Sequence, residues 1–267
     1  MQIIGIVNVT PDSFSDGGAH EDHRAAIDHA LRLEDAGADI LDIGGESTRP
    51  GAETISADRE LRRVMPVIEA VAARSDARLS IDTRKPRVAE AAVAAGAAIW
   101  NDVTALRFSP DSLSTAVRLG CEVILMHMQG DPQTMQLAPA YSDVVSEVKH
   151  FLDGRIRACE AAGIARDRII VDPGIGFGKA VRHNVALLKD LEAFTTLGVR
   201  CLLGASRKRF IAELDRDGPA GERIGGSIAS ALRAASAGFG FVRVHDVEAT
   251  RQALAVAAAI APDAGGG

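Results

Sequence analysis

Short apolar runs recur along the chain, and each leads into a polar residue or a polar turn. Runs at 3–7, 40–41, 79–81, 97–100, 123–126, 169–171, 201–203 and 241–244 lead into Asn8, Asp42, Asp82, Asn101, His127, Asp172, Gly204-Ala205-Ser206 and His245, with Arg243 inside the last run. Strands that are continuously apolar, without strict alternation, fit a parallel sheet buried on both faces. The segments between them have amphipathic helical spacing. Gly37, Gly96, Gly120, Gly163 and Gly198 each close such a segment and precede a strand, which is where a left-handed residue ends a helix. Pro66 and Pro86 read as lying near helix starts, where a missing N–H costs little. A doubly wound α/β sheet shares much of this pattern. Eight evenly recurring units with a polar group at every exit favour closure, so the expected fold is α/β, a single (β/α)8 TIM barrel with a parallel eight-stranded core. In that fold the carboxyl ends of the strands converge on one mouth, and the loops there hold the active site.

The length of 267 residues suits one such barrel, since eight βα units of roughly 30 residues need about 250. The domain is expected over 1–262, with 263–267 a frayed tail and no linker dividing the chain. The loops at 8–20 and 44–56 are long, polar and rich in Gly, Pro, Ser, Thr and Asp, and 128–141 is another irregular connection; such loops are usually functional. A formal net charge of -6 offers no basic face for nucleic acid, so any anion must be captured by a local cluster. Cys121, Cys159 and Cys201 are odd in number and lack metal-ligand spacing, which reads as buried reduced thiols. The chain opens directly into a strand, without a basic leader, and no apolar stretch approaches the roughly 20 residues of a spanning helix. A cytoplasmic protein with no membrane contact is expected.

Four segments carry the chemistry: 8–18 (NVTPDSFSDGG), 42–51 (DIGGESTRPG), 172–179 (DPGIGFGK) and 206–208 (SRK), with 243–246 (RVHD) closing the series. In order and spacing, over residues 5–262, they resemble dihydropteroate synthase, the pterin-binding barrel family of folate biosynthesis and the target of sulfonamides. The resemblance implies a condensation of 6-hydroxymethyl-7,8-dihydropterin diphosphate with 4-aminobenzoate, giving 7,8-dihydropteroate and pyrophosphate. It also implies Mg²⁺ as cofactor and a homodimer. Two other functions stay open on the sequence: a pterin-binding methyltransferase barrel using methyltetrahydrofolate, and a non-catalytic pterin-binding paralogue.

The residues suit that chemistry on their own terms. A pterin edge presents alternating N–H donors and N and O acceptors, so a buried site for it needs carboxylates, amides and a cation at fixed depth. Asp82, Asn101, Asp172 and Lys208 supply that set at the ends of strands three, four, six and seven. Similarity adds Val103, Met126 and Phe177 as apolar walls and Gly204 as a ring contact. Arg243 and His245 alternate on strand eight and so share a face. With Thr48 and Arg49 among glycines, and Asn8 as the Mg²⁺ contact by resemblance, they form a candidate diphosphate cradle. Phe14, Ser47, Thr48 and Pro50, with Lys208 and Arg209, would build the aminobenzoate pocket. No nucleophile stands out, so Asp82, Asp172, Lys208, Arg243 and His245 are expected to catalyse by positioning and electrostatics.

Blander readings remain beside these. Asp82 and Asp172 could form buried salt bridges that hold the barrel mouth. Lys208 could be a solvated helix-start lysine, Met126 a core residue, and Arg243 and His245 partners of Asp246 or Glu248. Arg209 departs from the family pattern, in which a small hydroxyl residue often follows the lysine of the SRK motif. Its side chain could reach the aminobenzoate carboxylate, its backbone N–H could donate instead, or the side chain could point outward.

Overall fold

In the computed structural model the residues described are 1–9, 19–48, 51–131 and 134–261. Eight parallel strands run in chain order and close on themselves, because β1 (Gln2–Asn8) pairs with both β2 (Ile40–Gly44) and β8 (Phe241–Val244). Between these lie β3 (Arg78–Asp82), β4 (Ile99–Asp102), β5 (Glu122–Met126), β6 (Ile169–Asp172) and β7 (Arg200–Leu203). All eight coincide with the apolar runs to within a residue or two at each end, except that β2 runs three residues past its run, to Gly44.

The connecting helices are α1 (Ala19–Asp35), α2 (Ala57–Ala72), α3 (Pro86–Ala94), α4 (Ser112–Leu119) and α5 (Val144–Ala162). They continue with α6 (Val181–Lys189), α7 (Glu192–Thr195), α8 (Arg209–Leu214), α9 (Ile224–Ser236) and α10 (Val247–Ile260), so the connections after β6 and β7 each hold two. Gly37, Gly96, Gly120, Gly163 and Gly198 all have left-handed backbone. Pro86 opens α3 as expected, but Pro66 does not lie near a helix start. Ser56 caps α2 and the helix begins at Ala57, which leaves Pro66 well inside it on the solvent-exposed face. There the carbonyl one turn back, deprived of its N–H partner, can bond water.

Alternation along each strand sorts the core into two shells. Outward residues such as Leu41, Ile81, Trp100, Leu125 and Val171 pack against the helices in the larger cluster. Inward residues Ile4, Ile40, Ile99, Ile124, Ile170, Leu202 and Phe241 form a separate buried plug inside the barrel. Below the plug, Glu122 accepts from Arg78 at 2.6 Å and from Arg200 at 2.9 Å, and the Arg200 guanidinium lies over the Phe241 ring. The next inward position on each strand, two residues on, faces the mouth.

Candidate active site

Those next positions are Ile6, Asp42, Asn101, Met126, Asp172, Gly204 and Arg243, joined by Asp82 at the end of β3. One layer of side chains thus changes from wholly apolar to mostly polar. Asp42 is fully buried at its centre. Its Oδ2 accepts from Arg243 Nε at 2.6 Å and from Asn101 Nδ2 at 3.0 Å, while Arg243 Nη2 donates to Asp82 Oδ2 at 2.8 Å. Asp42 Oδ1 and the neighbouring Ser80 Oγ, paired across β2 and β3, have no partner among the described residues. Burial, reinforced by the Asp42 charge, raises the Asp82 carboxyl to about 7 against the pull of Arg243.

Asp172 accepts from the Gly174 N–H at 2.7 Å. Burial raises its pKa, opposed chiefly by Lys208. A Cβ at position 204 would lie 3.2 Å from Asp172 Oδ2, so the glycine leaves this carboxylate room to face the mouth. Beside the polar row, Val103, Met126, Met128 and Met135 form a small buried cluster with Phe177 against it. Val103 follows β4 in a turn with left-handed backbone at Ala105 and Leu106. Asp102 holds that turn by accepting from Thr104 N and Oγ, both at 2.7 Å, and from Leu106 N at 2.9 Å.

Lys208 precedes α8 in extended backbone, and its side chain turns inward. Its ammonium lies 4.5 Å from the centre of the Phe177 ring and donates to the Ile175 carbonyl. Burial pulls its pKa down to about 8, with Asp172 resisting. Arg209, the first helical residue, goes the other way: it is 82% exposed and pairs with Glu213 at 2.9 Å, one turn along α8. At the exit of β8, Ser206 Oγ accepts from the His245 N–H at 3.1 Å and lies 3.0 Å from its Nδ1. Asp246 takes the fork of Arg207, whose backbone is left-handed. Arg243 therefore pairs with Asp42 and Asp82, and Asp246 with Arg207.

Asn8 ends β1 with the inward parity of Ile4, beside Gly44 of β2. No group of three His, Cys, Asp or Glu that could hold a metal occurs among the described residues. Ser47 and Thr48 are half-buried in the loop after β2, and Phe14, Arg49 and Pro50 lie outside the described residues. That loop is tied down by Glu46, which accepts from the Ile55 N–H at 2.9 Å and bridges Arg84 and Lys85 at 3.0 Å each. Sequence reasoning singled out neither Asp42 as the hub nor this anchor. Asp42 was visible as a polar residue ending an apolar run; the anchor joins positions 38 residues apart and has no local signature.

A closed parallel barrel with a carboxylate, amide and lysine layer beside an apolar wall defines a class, the pterin-binding enzymes, and the family model described as "Pterin binding enzyme" matches residues 4–245. The chain is 48% identical over 254 residues to dihydropteroate synthase of Escherichia coli K12, covering 95% of this chain and 89% of that one. Its fold is similar to that of the Xanthomonas albilineans dihydropteroate synthase solved with 4-aminobenzoic acid, with TM-score 0.92, 52% identity and 98% and 94% of the two chains covered. The Yersinia pestis dihydropteroate synthase solved with a sulfonamide drug matches at TM-score 0.91 and 45% identity, over 97% and 93%. The chain belongs to the dihydropteroate synthase family.

Proposed function

We propose that the inward polar layer binds the pterin ring and that the exits of β1, β2 and β8 hold the diphosphate it loses. The reaction is the condensation of 6-hydroxymethyl-7,8-dihydropterin diphosphate with 4-aminobenzoate, in folate biosynthesis. The C–O bond to diphosphate breaks, the amine nitrogen bonds to the freed methylene carbon, and the amine proton leaves. The observation that carries this reading is the set Asp82, Asn101 and Asp172, gathered at the strand exits beside Lys208 and the Phe177 wall. Buried carboxylates with raised pKa values and few protein partners are costly alone; a donor-rich ring removes that cost and discriminates sharply.

Arg243 has a part on each side of the reaction. Its Nη2 bond to Asp82 is the one a pterin would compete for, while its Nε stays on the buried Asp42. Held by Asp42, the guanidinium stays at the mouth as Asp82 turns to the ring, and can meet the charge building on the leaving diphosphate. His245, oriented by Ser206, stands beyond it. Asn8, whose half-buried amide ends the inward row of β1, would be the residue that holds Mg²⁺. Such an ion takes most of its ligands from water and substrate phosphates and neutralises their charge. The aminobenzoate pocket falls to Ser47, Thr48 and Lys208, with Phe14 and Pro50; with the Arg209 side chain paired to Glu213, its backbone N–H is the group left to serve the carboxylate.

Sulfonamides, as aminobenzoate mimics, would compete there. Homodimerisation rests on the family resemblance and a cytoplasmic location on the sequence reading; the three cysteines are free and buried, and no described helix is long and apolar enough to cross a membrane. Pyrophosphate release by purified protein given both substrates tests the reading: release with both and not with either alone is expected. Tight pterin binding without release would leave a non-catalytic binder.

A further inference from the structure

Lys179 ends the DPGIGFGK segment and is 2% exposed; its ammonium meets the backbone of Phe177 but no side chain assigned above to substrate. Its Nζ sits at the junction of two mouth loops. From the loop after β5 it meets His127 Nδ1 at 2.8 Å and the His127 carbonyl at 3.3 Å. From the loop after β6 it meets the carbonyls of Gly174 at 2.9 Å and Phe177 at 3.1 Å. Four acceptors thus surround Nζ, and an ammonium can serve three of them at once where a neutral amine serves two. The ring of acceptors therefore keeps the proton on, although burial pulls the lysine well below its ordinary value. His127 completes the ring as a neutral acceptor, because burial and the Lys179 charge push its pKa down to about 3. The loops approach closely here: a Cβ at Gly174 would fall 2.0 Å from the His127 carbonyl oxygen.

What the junction joins is the pterin pocket. His127 follows Met126, and the His127 N–H donates to the Asp172 carbonyl at 3.0 Å. Gly174 donates to the Asp172 carboxylate, and Phe177 is the apolar wall under Lys208. We propose that Lys179 is a positioning residue of the pterin reaction: its buried ammonium locks the loops after β5 and β6 together, fixing Phe177 and Asp172 against Met126. It rests on the pterin reading of the mouth and adds to it a residue that touches no substrate.

The charge has a consequence of its own. The groups facing Asp172 are Lys208 and Arg243 across the mouth, Lys179 behind it and the neutral Cys201 thiol beside it. The cations favour the carboxylate. Removing Lys179 should therefore raise the Asp172 pKa and move the acid limb of kcat/KM for the pterin diphosphate to higher pH.

Lys179→Met and Lys179→Arg are compared with wild type by steady-state kinetics in each substrate, by calorimetric titration with 6-hydroxymethylpterin and by thermal melting. For Lys179→Met we expect KM for the pterin diphosphate to rise at least tenfold, KM for 4-aminobenzoate to stay within about twofold, and the acid limb to shift upward. Lys179→Arg keeps the charge and loses the geometry, so its pterin KM rises while its limb stays at the wild-type pH. A general loss of stability would move both KM values and leave the limb alone, and that pattern overturns the proposal. So does a folded Lys179→Met with wild-type pterin KM. If Lys179→Met gives no cooperative melt, Lys179→Arg decides by the same KM comparison, and ¹⁵N shifts of His127 in the wild-type protein decide independently: a neutral ring with unprotonated Nδ1 is expected, and an Nδ1–H or charged ring sinks the arrangement. Failure of wild type itself to bind the pterin would overturn the reading of the site and the role of Lys179 with it, an outcome distinct from a wild type that binds and a Lys179→Met that binds equally well.

Discussion

The plug and the mouth of this barrel are built from the same strands, two residues apart, and they do opposite work. On β2, β4, β6 and β8 the pairs are Ile40 and Asp42, Ile99 and Asn101, Ile170 and Asp172, Phe241 and Arg243. The lower member of each pair is apolar and almost wholly buried, so it stabilises by surface removed from water and by close packing. The upper member is a carboxylate, amide or guanidinium; burial raises the Asp172 carboxyl, and one Asp42 oxygen lacks a partner among the described residues. Such a layer contributes little to folding, since desolvation cancels much of the attraction within a buried ion pair. Stability resides in the plug and recognition in the layer above it, so substitutions should separate the two.

The largest expected effect is in the plug. Phe241→Ala removes a 2% exposed ring and should lose about 3–5 kcal/mol of unfolding free energy, while the folded fraction still binds pterin. Urea unfolding measures it; a loss below about 1 kcal/mol would mean the plug is not where stability lies. Next comes Asp172→Asn, which should fold at least as well as wild type, because burial disfavours the carboxylate it replaces. Its pterin affinity should fall by about 1.5–3 kcal/mol, as for a lost hydrogen bond to a charged group. Calorimetric titration reads this, and wild-type binding would take Asp172 out of the site.

Lys208→Met sharpens the contrast through pH. Burial lowers the Lys208 pKa to about 8, so the folded state disfavours the ammonium relative to the unfolded chain. That penalty is full below pH 8 and fades as pH rises toward the unfolded value near 10.4. The variant should be more stable at pH 7 by about 1–2 kcal/mol, after allowance for partial exposure and for the lost Ile175 bond. The advantage should shrink between pH 8 and 10. Unfolding curves at pH 7 and 10 test the sign, and an advantage that grows with pH would contradict it.

How far the sequence revealed this arrangement follows from where each signal lies. The strands were legible because a sheet buried on both faces leaves continuous apolar runs. For the same reason the runs do not mark which residues point inward. Asp82, Asn101 and Asp172 could be placed at the mouth because each lies at or next to a strand's end. Asp42 looked the same, yet β2 runs on to Gly44 and puts it inside, as the hub of the layer. Arg243 was readable as a cation on β8, but its pairing with Asp42 spans 201 residues and its pairing with Asp82 spans 161. The Lys179–His127 joint spans 52 and is equally silent locally. Pro66 misled because proline marks helix starts statistically, whereas on an exposed face it is tolerated farther in.

The smallest effect belongs to Arg209, where the chain departs from the family pattern. Its neighbour Lys208 turns into the mouth, and Arg209, one position into α8, leaves for solvent and Glu213. A salt bridge this exposed is worth about 0.3–0.5 kcal/mol on a helix. Arg209→Ala should therefore lower stability by no more than that and keep both KM values within about twofold. Arg209→Ser should behave alike, because the backbone N–H, the group that can serve the aminobenzoate carboxylate, is unchanged by either substitution. A side chain that swung back to the carboxylate would give another result: a selective rise in the aminobenzoate KM of about ten- to a hundredfold, as for a charge-assisted bond of about 1.5–3 kcal/mol. In that case serine, with its hydroxyl, should recover part of the loss. Varying each substrate in turn separates the outcomes, and a selective aminobenzoate defect in Arg209→Ala would show that α8 rearranges on binding and that Arg209 belongs to the site.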